Sequence, residues 1–100
     1  MPQIKTREDF ETQLASAISQ TREALDATDR GEEMPGVSAQ YETLLEYLEK
    51  VRDDVQAGTV PPENDRHSQS VGGILVDGWD PSDPLGALIL QVDSYYLTRF

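Results

Sequence analysis

Apolar positions along this chain recur at helical spacing. Phe10, Leu14, Ala17, Ile18, Thr21 and Leu25 share one face of a segment from about residue 6 to residue 26. Thr6 and Asp9 stand at capping-box separation, with Asp in the place usually held by Glu. Arg30-Gly31 stops the pattern and Met34-Pro35-Gly36 marks a turn. A second segment, about residues 37 to 57, carries one continuous stripe of Val37, Tyr41, Leu44, Leu45, Leu48, Val51 and Val55. Ser38 is placed to cap its start, and Gly58 suits the position after its end.

Residues 59 to 65 read as a loop, because Pro61-Pro62 fits neither a helix interior nor a central strand. Residues 66 to 77 suit a helix or a strand. Val71, Ile74, Leu75 and Val76 fit either, and Gly72-Gly73 weakens both. A short helix is favoured, since a lone strand has no partner for its backbone hydrogen bonds. After a turn-rich connection, Asp83-Pro84 reads as an N-cap followed by proline at the first helical position. Leu85, Leu88, Ile89, Val92, Tyr95 and Tyr96 then face inward on a last helix. The expected fold is all-α: one domain, residues 1–100, built as a small antiparallel bundle of three long helices plus a short third segment.

Charge changes the picture next. Eight Lys and Arg stand against nineteen Asp and Glu, a formal net charge of -11. Such a field repels nucleic acid and anionic lipid and attracts basic surfaces. With no cysteine, disulfides, thiolate metal sites and cysteine catalysis are excluded. The first ten residues hold no apolar run, and no stretch approaches the roughly 20 apolar residues that span a bilayer. The expected location is the cytoplasm of the producing cell.

Catalytic chemistry is hard to assemble from these residues. His67 sits in a polar stretch and reads as a solvated histidine before it reads as a general base. Ser68 and Ser70 lack the strand-turn-helix setting of a nucleophile elbow. Asp77, Asp80 and Asp83 are spaced by three and interrupted by prolines, so they fail the calcium-loop rule. Gly72-Gly73 lacks the Lys and hydroxyl residue of a phosphate loop. No enzyme, cofactor or metal is expected.

Two features stand out, although a solvated face stays an alternative for the first. Glu42, Glu46, Glu49 and Asp53 are spaced four, three and four apart, so they share one helix face. Like charges at that spacing cost a few tenths of a kcal/mol per pair, and a design for stability alone would alternate signs. Trp79, the only tryptophan, lies in the connection before the last helix. It serves either as a plug under that loop or as an anchor for a partner.

From Gly36 onward the chain resembles the immunity proteins paired with a type VI secretion toxin that hydrolyses NAD(P). The resemblance runs through Tyr41-Glu42, Leu44-Leu45, Val51-Arg52, Asp65-Arg66, Gly73-Ile74, Val76, Trp79-Asp80, Asp83-Pro84-Leu85, Leu88 and Tyr95-Tyr96. The ordered set carries it rather than any one motif, and Gly72 is an extra glycine relative to the family pattern. The resemblance implies an all-helical cytoplasmic protein that binds a toxin domain, blocks its active site and needs no cofactor. The expected toxin-binding surface is Glu42, Glu46, Glu49 and Asp53 on one wall, with Asp77, Trp79 and Asp80 on the other. Nucleic acid and membrane are not expected partners, and the sequence leaves a homodimer of the free chain as an open alternative. Competing readings are an acidic regulator or nucleic-acid mimic that occupies a basic protein, or a secretion-system adaptor.

Overall fold

A computed structural model describes residues 4–70, 78–79 and 82–100. Four helices are present among them, and no strand: α1 (Arg7–Asp29), α2 (Ser38–Ala57), α3 (Glu63–Gln69) and α4 (Pro84–Arg99). The all-α class is therefore the one that the spacing predicts.

Local chemistry sets most of the helix ends. At the start of α1, Asp9 N–H donates to Thr6 Oγ1 at 3.1 Å and Thr6 N–H donates to Asp9 Oδ2 at 3.3 Å. That reciprocal pair satisfies donors the first turn leaves open. Helix α1 runs three residues beyond its expected end and stops where Gly31 takes φ +82°. Gly58 closes α2 at φ +71°, a left-handed conformation that favours glycine. Asp83 caps α4, its Oδ2 accepting from Gly86 N–H at 2.8 Å, with Pro84 at the first helical position.

Two further boundaries differ from the sequence reading. Ser38 does not cap α2. The N-cap residue is Val37, which is 61% exposed and lies outside the apolar stripe. Ser38 instead joins the helix ends, with Oγ 2.8 Å from Thr28 Oγ1 and 3.2 Å from Asp29 Oδ1. Helix α3 begins at Glu63, directly after the proline pair and inside the expected loop. Pro62 precedes its first turn, where a missing N–H costs nothing. The choice between helix and strand for residues 71–77 lies outside the described residues.

Helix α1 packs against both α2 and α4, and α3 packs against α4. One core results, centred on Phe10, Leu14, Ala17, Tyr41, Leu44, Leu48, Ile89 and Val92. Leu45, Val55 and Leu85 are only half-buried at its edge. At one end of the bundle Phe10 stacks against Tyr95 and Tyr96, with centroids 5.3 and 6.2 Å away, and Phe100 closes in at 4.8 Å. At the other end Trp79 meets Tyr41 at 5.3 Å. No helix among the described residues is long and apolar enough to cross a membrane.

Candidate functional site: an acidic face on the second helix

Burial of Tyr41, Leu44, Leu48 and Val51 fixes the rotation of α2, and that rotation turns the carboxylate stripe outward. Glu42, Glu46 and Asp53 are exposed, and Glu49 is half-buried beside α1. The four share one face but not one environment. Arg22 reaches across from α1 to Glu49, with Nη2 3.5 Å from Oε1. Arg52 lies 3.8 Å from Glu49 and 3.1 Å from Asp53. The stripe is therefore not free of basic residues. Arg52, three positions after Glu49 and next to Asp53, has an arm long enough to lean back over both. Glu42 and Glu46 make no ion pair among the described residues, so the first half of the stripe is the open half.

Of the second expected wall only Trp79 lies among the described residues, and it is not on the surface. Trp79 is 7% exposed and belongs to the core. Its indole lies over Gly36 and Gly86, where an added Cβ would meet ring atoms at 2.7 and 3.3 Å. Its Nε1–H points to Gln40 Oε1 at 3.4 Å. A ring held this way plugs the junction of α2 and α4 and cannot enter a partner's pocket while the fold is intact. Asp77 and Asp80 lie outside the described residues.

A second acidic depression escapes the sequence reading. Glu23, Glu32 and Asp83 line a shallow groove of about 410 Å³ between the end of α1 and the start of α4. Glu32 is held by Arg30 at 2.7 Å, and Asp83 is engaged in its cap. Only three-dimensional packing brings these carboxylates together.

Beneath the surface lies a polar network that no periodicity predicts. Asp93, 6% exposed, accepts from Tyr47 Oη–H at 2.6 Å and from Ser70 Oγ–H at 2.8 Å. It joins α2, the end of α3 and α4. Burial, and then the hydrogen bond to Asp93, push the Tyr47 phenol well above its ordinary range. Burial likewise raises Tyr41 and Tyr96. On the surface, the Lys50–Asp54 hydrogen bond raises the ammonium and lowers the carboxyl. These shifts keep each group in its ordinary charge state at neutral pH, which is what a structural role requires.

His67 is exposed and 3.8 Å from Glu63 on its own helix. Ser68 Oγ–H donates to Asp65 O, and the Ser70 hydroxyl is turned onto Asp93. Among the described residues no group of three or more His, Asp or Glu is arranged to hold a metal ion. No family model, curated protein or solved structure matches the chain.

Proposed function

We propose that this chain is an immunity protein, which binds a secreted toxin domain in the cytoplasm and blocks its active site without turnover of its own. The observation that carries the reading is the open acidic face of α2, where Glu42 and Glu46 stand exposed and without an ion pair among the described residues, beside a firmly seated apolar stripe. A net charge of -11 adds a long-range field of the same sign. A toxin that acts on a phosphate-bearing substrate presents positive charge at its site, and an acidic ridge complements it. That the toxin hydrolyses NAD(P), and reaches its target through type VI secretion, rests on the sequence resemblance alone.

The burial of Trp79 shapes the proposal. With no tryptophan anchor, early recognition falls to the carboxylates, which speed encounter more than they tighten the final complex. Glu42 and Glu46 are the residues to test, because reversing Glu49 would also set a positive charge against Arg22 and Arg52. The experiment is co-expression with the adjacent open reading frame, scored for growth. Wild type should restore growth, and the Glu42→Lys, Glu46→Lys double variant, shown to melt like wild type, should restore it poorly. Equal rescue by both would remove the acidic face from the account. A chain that rescued no toxin but displaced DNA from a basic DNA-binding protein would favour nucleic-acid mimicry instead.

A further inference from the structure

Of the six arginines, Arg22, Arg30 and Arg52 pair with carboxylates. Arg7, Arg66 and Arg99 pair with none among the described residues, although Asp and Glu outnumber Lys and Arg by nineteen to eight. These three line one groove of about 670 Å³ at the end of the bundle. They come to it from the start of α1, the middle of α3 and the end of α4.

Each guanidinium lies against a different ring of the aromatic cluster. Arg7 is 4.3 Å from the Phe100 centroid, Arg66 is 5.8 Å from Tyr96 and Arg99 is 5.7 Å from Tyr95. The attraction of a guanidinium to a ring is electrostatic and need not consume its N–H donors, which can still serve an acceptor. Arg66 is the built-in member. It is 6% exposed, its Nη1–H donates to Pro61 O at 2.7 Å, and its buried Nε has no hydrogen-bond partner. Burying a charged side chain with a donor unsatisfied costs stability. The aromatic contacts alone would be met as well by an uncharged residue.

We infer that this groove is an anion site for the phosphate group of a small phosphate monoester. Three guanidiniums approaching from three helices suit a tetrahedral anion, whose oxygens take donors from several directions. A planar carboxylate is satisfied by one fork. Val60, Pro62 and Phe100 give the groove an apolar wall for the organic part of the ester. Glu63 also lines it and opposes the anion. None of these residues belongs to the acidic face of α2, so the inference stands apart from the toxin-binding proposal.

The test is a titration of nitrogen-15-labelled protein with inorganic phosphate, phenyl phosphate and malonate at constant ionic strength, following the arginine Nε–Hε signals. Both phosphates should shift Arg7, Arg66 and Arg99 saturably and leave Arg22, Arg30 and Arg52 in place. Phenyl phosphate should bind more tightly than inorganic phosphate, and malonate more weakly than either. Arg7→Gln and Arg99→Gln alter exposed side chains, and each should weaken phenyl phosphate binding roughly tenfold, the loss of one charge-assisted hydrogen bond. Glu63→Gln should tighten it. Unsaturable shifts spread over all six arginines, tighter binding of malonate, or unchanged affinity in both arginine variants would overturn the inference.

Discussion

Replacing Trp79 by alanine separates a core plug from a partner anchor. The indole is 7% exposed, rests 5.3 Å from Tyr41 and covers the backbone of Gly36 and Gly86. Removing a buried tryptophan costs about 3–5 kcal/mol, from lost transfer energy and from the cavity left behind. Domains of this size are commonly stable by only about 5–15 kcal/mol. At roughly 4–8 °C per kcal/mol for a small domain, the Tm should fall by about 12–40 °C. Urea unfolding followed by far-ultraviolet circular dichroism reads the free-energy loss, and a thermal melt reads the fall in Tm. Gly36→Ala makes the complementary change, since its Cβ would meet Trp79 Cζ2 at 2.7 Å, and should cost about 1–3 kcal/mol through overpacking. A Trp79→Ala variant losing less than about 1 kcal/mol would refute the placement of the ring and return it to the candidate interface.

Two further substitutions probe the core and its polar network. Leu44→Ala should cost about 2–5 kcal/mol because Leu44 is fully buried, and Leu45→Ala clearly less because Leu45 is half-buried; the reverse order in denaturant melts would mean that α2 is rotated. Tyr47→Phe should cost about 1.5–3 kcal/mol, as it strips a hydrogen bond from the buried Asp93 carboxylate. The Tyr47 phenol is raised above its ordinary value of 10.0, so its contribution is complete below that pH and is lost as pH climbs toward the folded-state value. The stability gap between wild type and Tyr47→Phe should therefore narrow above about pH 10, and a gap that widened there would contradict the assignment.

Most helix-end signals are legible because each lies within a few residues, although Ser38 does not cap α2 and the proline pair does not hold off α3. Thr6 with Asp9, Asp83 with Pro84, and Gly58 each announce a helix end, and each acts there. Residues 66–69 of α3 fall in the segment for which a short helix is favoured, but its start at Glu63 escapes the sequence reading because Glu63–Gln69 contains no apolar residue, so periodicity has nothing to detect. Its buried side chain is Arg66, held against Tyr96 thirty residues away. The Tyr47–Asp93 bond spans 46 residues, and no short pattern encodes it. The carboxylate stripe was legible as a face, since helical spacing alone places it. That Arg22 reaches it from a second helix depends on packing, and so does the loss of Trp79 to the core.

The proposal under test is stoichiometric occlusion of a toxin domain, and the most direct test is to titrate the NAD(P) hydrolysis proposed for that domain with this protein at a toxin concentration well above Kd. The account predicts a linear fall in activity to a sharp end point at about one-to-one, with no NAD(P) consumed by the protein alone. It also predicts an association rate that falls as salt rises, more steeply for wild type than for the Glu42→Lys, Glu46→Lys variant. Activity undiminished at a molar excess of the protein, or silenced by a small fraction of an equivalent, would contradict it.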